Sequence, residues 1–222
     1  FCASLRGPDI LRITRETTVT VLPGVPKLLE GFDRALAARL DALPPARRAL
    51  FRALRAVSRF VRLKTGVNLG RVLFRSIRKG FSPRFRFFTS GGAKLDAGIA
   101  NRFLDLGLTI IEGYGLSETA PVLTFNPLAR PKPGSVGRAL PSVRLRIDSP
   151  DTQGVGEIVA SGPNLMDGYE RRPEDTAAVL KDGWFHTGDL GYLDGDGYLF
   201  ITGRAKELIV LASGKKVYPE EL

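Results

Sequence analysis

One cysteine, one histidine, one methionine and one tryptophan are all that the 222 residues contain of those four types. Cys2 alone forms no internal disulfide and no cysteine-based zinc site. It suits a reducing compartment, most simply the cytoplasm. His186 alone excludes paired-histidine metal sites and multi-histidine proton relays. No charge-free apolar run approaches the ~18 residues that a membrane-spanning helix needs. Phe1-Cys2-Ala3-Ser4-Leu5-Arg6 has no signal-peptide layout. The single methionine is Met166, so the chain does not start at an initiator, and it stops at Glu221-Leu222 with no Gly, Pro or polar tail. Both ends read as cut, and the expectation is a piece of a longer protein. Internal repeats and low-complexity segments are also lacking.

What is present is a globular balance, 43% hydrophobic and 25% charged, with a net charge of +10. The basicity is local: between Arg34 and Arg86 there are 15 Lys and Arg against one acid, Asp41. Glycine is abundant at 25 residues, and it is used where backbone turns tightly or approaches a ligand.

Thr17-Thr18-Val19-Thr20-Val21-Leu22, closed by Pro23-Gly24, reads as a strand. Pro26 opens a helix through about Leu43, with Leu28, Leu29, Phe32, Leu36 and Leu40 at spacings of three and four. A second helix over about 46–64 carries an apolar stripe (Leu50, Leu54, Val57, Val61) and a basic one (Arg48, Arg52, Arg55, Arg59, Arg62). Arg84–Phe88 alternates like a strand and runs into Ser90-Gly91-Gly92-Ala93. Lys94 to about Leu106 is a helix, and Leu108–Ile111 a short strand. Strand, helix, strand at this spacing predicts a βαβ unit and a parallel sheet. After Pro131-Lys132-Pro133-Gly134 the character changes. Val143–Ile147, Gly156–Ser161 and Gly197–Ile201 are short strands among Gly and Asp turns, interrupted by a helix from Pro173 to about Leu180. This half reads as antiparallel β, a small barrel. Leu208–Leu211 is a further strand.

Two loops follow the parallel strands, Ser90-Gly91-Gly92-Ala93 and Gly113-Tyr114-Gly115-Leu116-Ser117-Glu118. Ligands of open α/β sheets bind at that edge. Glycine there lets backbone amides reach a ligand, Tyr offers a flat face for a base, Ser a hydroxyl and Glu a hard oxygen for Mg²⁺. Short Gly-rich strings are weak motifs by themselves, and ordinary strand-to-helix turns have the same look. A third cluster is Asp182-Gly183-Trp184-Phe185-His186-Thr187-Gly188-Asp189, and a fourth Gly203-Arg204-Ala205-Lys206. An aspartate can accept two hydrogen bonds from a ribose diol, and an arginine can steady a phosphate. Taken singly, a turn aspartate and a surface ion pair explain them as well.

In this order the clusters resemble the AMP-forming, adenylate-forming superfamily of acyl-CoA synthetases, luciferases and peptide-synthetase adenylation domains. Glu112–Thr119 resembles its Tyr-Gly-x-Thr-Glu core. Ser90–Ala93 resembles its adenine-side loop, with Lys94 where many members have proline. Gly156-Glu157-Ile158 through Gly162 to Gly168-Tyr169 resembles its β-barrel motif. Trp184–Asp189 and Gly203–Glu207 resemble its ribose and hinge motifs, and Lys215, Val217, Tyr218, Pro219 and Glu220 the start of its small C-terminal domain. Val25-Pro26-Lys27-Leu28-Leu29, the Arg-rich helical insert and Glu118-Thr119-Ala120-Pro121-Val122 are most similar to the long-chain fatty acid–CoA ligases.

The resemblance implies an α/β fold: the later part of the large domain, with a parallel sheet followed by a small antiparallel barrel, then the start of the small domain. The corresponding divisions are 1–130, 131–202 and 203–222. It implies an enzyme that joins a fatty acid to ATP and passes the acyl group to coenzyme A. By resemblance Tyr114 packs on adenine, Gly91, Gly92 and Ala93 line the base, and Gly115 belongs to the nucleotide-binding loop. Ser117 bonds phosphate, Glu118 helps hold Mg²⁺, Asp189 binds the ribose hydroxyls, Arg204 contacts the nucleotide and Lys206 sits at the hinge. His186 packs or supports rather than transferring a proton. The family's phosphate loop is expected before Phe1 and its small-domain lysine after Leu222, so the chain alone is expected to be inactive. Two alternatives stay open: a fatty acyl-AMP ligase or another adenylating enzyme, and a non-catalytic nucleotide-binding remnant. For the basic stretch 34–86 a solvated face is the default and weak contact with an anionic membrane, at the inner face of a cytoplasmic protein's membrane, the next reading. Nucleic-acid binding lacks any recognisable module.

Overall fold

In a computed structural model, which describes residues 7–207, 209–210 and 216–217, the chain forms two compact units. One is Phe1–Glu112 with Leu128–Gly134, the other Gly113–Pro127 with Ser135–Leu222.

The first unit begins with α1 (Gly7–Glu16), which periodicity did not announce, then β1 (Val21–Gly24), α2 (Pro26–Asp41), α3 (Pro45–Thr65), α4 (Gly70–Leu73), α5 (Arg75–Lys79), β2 (Phe87–Ser90), α6 (Ala97–Asp105) and β3 (Thr109–Tyr114). β1 starts later than its β-branched run. The helix before it ends in a turn at Thr17-Thr18, where Thr18 takes φ 51°, and the strand absorbs Pro23-Gly24 instead of ending before them. Proline is tolerated because β1 pairs only with β2 among the described residues and is an edge strand. α6 starts later than Lys94, because Asp96 caps it by accepting a hydrogen bond from the Ile99 amide at 2.9 Å.

β1, β2 and β3 pair in parallel, with Ser90 opposite Glu112 at their C-terminal ends. The core of this unit is aromatic. Phe32, Phe81, Phe85, Phe88 and Phe103 lie within 4.6–6.2 Å of one another, centroid to centroid, in the measured pairs, several edge to face. Leu29, Leu95, Ile99 and Leu108 close round them. α2 is tied to α6 by a bidentate pair in which Arg102 donates to both Asp33 oxygens, at 3.0 and 2.7 Å.

α3 meets α6 through polar groups. The fully buried Ser58 hydroxyl donates to the Asp105 carbonyl at 2.7 Å, and Arg62 donates to the Asp105 carboxylate at 2.7 Å. The expected stripes therefore sort differently. Leu54 and Val61 are half-buried, Leu50 and Val57 face solvent, and Arg62 leaves the basic stripe to become a buried partner.

The second unit takes over the end of β3 and continues with β4 (Thr124–Phe125), β5 (Arg138–Ala139), β6 (Arg144–Asp148), β7 (Gly156–Ser161), α7 (Pro173–Val179), β8 (Leu180–Lys181), β9 (Trp184–Leu193), β10 (Leu199–Arg204), β11 (Ile209–Val210) and β12 (Lys216–Val217). The antiparallel character expected of this half is present. Its main sheet runs in the order β10-β9-β7-β6, with β8 also on β9, while β4 and β5 extend from the end of β3 and β11 pairs β12, all antiparallel. Among the described residues the ladder is open at β6 and β10 and does not return on itself as a closed barrel would. Exposed Arg144 and Arg146 mark β6 as a charged edge, and both guanidiniums lie over the Trp184 ring, at 5.5 and 4.4 Å. Lys215, Tyr218, Pro219 and Glu220, assigned to the small domain by resemblance, lie outside the described residues.

Candidate functional site

β3 leaves the sheet at Gly113-Tyr114 and turns at once. A side chain at Gly115 would collide with the Pro121 carbonyl, so only glycine lets the loop fold back this tightly. The Leu123 amide closes it on the Tyr114 carbonyl at 2.8 Å. Inside it, the buried Thr119 hydroxyl bonds both the amide and the carbonyl of Leu116, each at 2.9 Å. Ser117-Glu118-Thr119 forms a single 3₁₀ turn that leaves Ser117 exposed and Glu118 half-buried.

Tyr114 points its hydroxyl at Asp189, donating to Oδ2 at 2.6 Å. Burial, and then the charge of Asp189, push the phenol's pKa up, so Tyr114 stays a neutral donor. Asp189 is almost fully buried in β9, and its other oxygen forms an ion pair with Arg204 Nε of β10 at 3.1 Å. A carboxylate has about four lone-pair sites, so two remain for a diol.

The turn before Asp189 is braced by Glu157 of β7. One of its oxygens accepts from the Gly188 amide and the other meets His186 Nδ1, both at 2.9 Å. Thr187 donates to the Ile158 carbonyl at 2.7 Å and accepts from the Asp189 amide at 3.1 Å. His186 is thus a support, as the sequence reading had it. Glu157 was passed over as a strand residue, although its place three residues after Gly154 and inside a recurring motif was visible.

Among the described residues the Glu118 carboxylate has one hydrogen-bond partner: Tyr169 Oη donates to its Oε1 at 3.0 Å. Its Oε2 accepts no hydrogen bond among the described residues. No group of three His, Cys, Asp or Glu side chains gathers among the described residues, so a cation here needs oxygens from a bound phosphate as well. One free carboxylate oxygen beside a hydroxyl-bearing turn is a donor set that fits Mg²⁺ held together with substrate phosphates.

In the first unit, Ser90-Gly91-Gly92-Ala93 leaves the end of β2. Gly92 takes φ 82°, a turn that suits glycine, and the buried Ser90 hydroxyl has no hydrogen-bond partner among the described residues. Glu112, opposite Ser90, accepts from the Leu95 and Gly134 amides, yet burial dominates and pushes its carboxyl up to about 7. Lys206 lies exposed in a 3₁₀ turn, Ala205–Glu207. The structure thus joins Tyr114, Asp189 and Arg204 in one set, by a hydrogen bond and an ion pair, and gives the Glu118 carboxylate its own partner. Gly91, Gly92 and Ala93 stand on the other unit.

The AMP-binding enzyme family matches residues 2–170. The chain belongs to that family. A feruloyl-CoA synthase from Amycolatopsis sp is 44% identical over 145 residues, covering 62% of this chain and 29% of the relative. The long-chain-fatty-acid–CoA ligase heimdall of Drosophila melanogaster is 35% identical over 98% of this chain and 35% of its own length. Among solved structures, ATP-bound MatB from Rhodopseudomonas palustris is 31% identical with TM-score 0.71, covering all of this chain and 37% of that one. The chain thus spans about a third of the length of these proteins, and its α/β architecture is that of AMP-binding enzymes.

Proposed function

We propose that this AMP-binding chain carries the nucleotide-facing middle of an acyl-CoA ligase that activates a fatty acid, long-chain by preference. The observation that carries the reading is the Tyr114–Asp189–Arg204 set, with Glu118 four residues after Tyr114. In the first half-reaction a carboxylate oxygen attacks the α-phosphorus of ATP. The bond to the β-phosphate oxygen breaks, and pyrophosphate leaves. In the second, the CoA sulfur, having lost its proton, attacks the acyl carbon, and the C–O bond to AMP breaks. Two anions must meet in the first step, so positive charge and dipoles near the phosphates dominate the barrier. Mg²⁺, when bound, supplies part of that charge.

The protein's own groups divide the remaining work. Asp189 offers its free lone pairs to the ribose hydroxyls while Tyr114 and Arg204 hold its oxygens in place. Tyr114 presents its ring to adenine beside Gly115. Ser117 donates to phosphate, Glu118 offers Oε2 to the cation, and Lys206 marks the hinge. Replacing Glu118 by Ala in the full-length protein is expected to lower acid-dependent ATP–pyrophosphate exchange by two to three orders of magnitude, about 3–4 kcal/mol, with the melting temperature unchanged. Near-normal exchange at limiting Mg²⁺ contradicts the assignment.

The long-chain preference is supported by the Drosophila relative, which matches almost the whole chain. The feruloyl-CoA synthase, more identical over a shorter stretch, supports a second reading, an aryl acid. The reading also gives the basic stretch 34–86 a partner, an anionic bilayer from which an insoluble acid is drawn by an otherwise cytoplasmic protein. α3 supports it. Leu50, Val57, Phe60 and Leu63 stand 51–65% exposed along its outer face, flanked by exposed Arg52 and Arg59. No helix among the described residues is long and apolar enough to cross a membrane.

A further inference from the structure

Residues 162–169 run along the turn that carries Glu118 and hold it at four atoms. The Asn164 side-chain amide donates to the carbonyls of Thr119 and Val122, at 2.8 and 3.0 Å. The Met166 amide donates to the Glu118 carbonyl at 2.8 Å, and the Tyr169 phenol to the Glu118 carboxylate at 3.0 Å. The segment is itself anchored at its far end. The Tyr169 amide donates to the Thr176 hydroxyl of α7 at 2.9 Å, and that hydroxyl donates to the Arg172 carbonyl at 2.9 Å. Both the backbone and the side chain of one carboxylate are thus fixed by one strap, whose end is pinned to a helix.

We propose that Tyr169 is a positioning residue for Glu118: by occupying Oε1 it fixes the rotamer in which Oε2 alone is offered to a divalent cation bound with the nucleotide's phosphates. This rests on the reading of Glu118 as a cation ligand given above. The physical case is that a glutamate on a solvent-facing turn otherwise samples several rotamers, and that outer partners which orient a ligating carboxylate typically govern metal affinity 10–100-fold. The phenol is suited to the task because its hydroxyl donates to a carboxylate oxygen and brings no charge of its own to compete with the cation. The same contacts account for the residue types in this stretch: an amide at Asn164 to reach two carbonyls, a phenol at Tyr169 to reach across, and a hydroxyl at Thr176 to take the strap's last amide.

The test uses the full-length protein with Tyr169→Phe, which keeps the ring and removes the hydroxyl. Two readouts are taken: Mn²⁺ affinity in the presence of ATP, by electron paramagnetic resonance of free Mn²⁺, and the Mg²⁺ dependence of pyrophosphate exchange. The proposal expects Mn²⁺ to bind about 10-fold more weakly, the Mg²⁺ requirement to rise by the same factor, exchange at saturating Mg²⁺ within about twofold of wild type, and metal-free ATP binding unchanged. Thr176→Val, which frees the strap's end while leaving the phenol, is expected to give a smaller shift of the same kind, and Thr176→Ser to restore it. Unchanged Mn²⁺ affinity in Tyr169→Phe overturns the proposal. So does a loss of rate that saturating cation does not recover, which marks a merely structural contact. If the wild type shows no acid-dependent exchange, the ligase reading fails, while the Mn²⁺ comparison still decides the strap. If the wild type binds no Mn²⁺ with ATP, the cation role of Glu118 and the proposal fall together.

Discussion

Glu112 shows what one residue's surroundings do to its chemistry. It ends the parallel part of β3 with 6% of its surface exposed and, among the described residues, two backbone amides for partners. Burial outweighs those hydrogen bonds, and the carboxyl titrates at about 7 instead of its ordinary 4.5. Between those two values the folded chain keeps a proton that the unfolded chain has released. Stability therefore falls as pH rises from about 4.5 to about 7 and levels off above, by up to about 3 kcal/mol. Urea unfolding at stepped pH checks this. Glu112→Gln, which keeps an acceptor for both amides, is expected to remove the slope, and an identical slope in both proteins contradicts the account. The sequence named Glu112 only as the first letter of a motif. Its environment comes from Leu95 and Gly134, which are distant in sequence. Tyr114, Asp189 and Arg204 were legible because their types and order are distinctive, whereas Tyr169 and Glu157 act through partners 51 and 29–31 positions away that no spacing rule reveals.

At the scale of the element, α3 sorts its faces by polar partners. Periodicity marks Leu50, Leu54, Val57 and Val61 as an apolar stripe, yet the helix turns Ser58 and Arg62 inward and leaves Leu50 and Val57 exposed. The reason is the C-terminal end of α6, where the Asp105 carboxylate and carbonyl need partners, and one Arg and one Ser answer both. The Arg62–Asp105 pair is 13% and 4% exposed, so removing one member leaves a buried charge alone. Arg62→Met is expected to lower unfolding free energy by about 3–5 kcal/mol, measured by urea denaturation, and a loss under 1 kcal/mol would show the pair to be incidental. The same turn of the helix leaves an apolar outer face with an arginine flank. The chain is expected to sediment with phosphatidylserine vesicles and be released by salt, since each arginine near an anionic surface contributes about 1 kcal/mol, screened within ~8 Å at physiological ionic strength. Arg52→Gln with Arg59→Gln, or Phe60→Ser with Leu63→Ser, should each weaken binding at least fivefold. Equal binding by the wild type and both variants points to a plain solvated face.

At the scale of the whole molecule, strand–helix–strand spacing announced the parallel sheet, and the Gly and Asp turns announced the antiparallel half. α1, α4 and α5 were not announced, being short, strongly charged or broken by glycine. Whether such a half closes on itself depends on pairing between distant strands, not on the alternation within each, and among the described residues its main ladder is open at β6. Family membership holds for most of the chain, and what the family's motifs leave unsaid is the acid, because an acyl pocket is a matter of wall shape. The central claim is that these residues serve adenylation of a fatty acid. Its most direct test is ATP–pyrophosphate exchange by the full-length protein with acetate, ferulate, octanoate and palmitate. The account predicts acid-dependent exchange that is greatest with palmitate and lost in Glu118→Ala. Exchange driven best by ferulate would overturn the fatty-acid preference, and no exchange with any acid would contradict the adenylation claim itself.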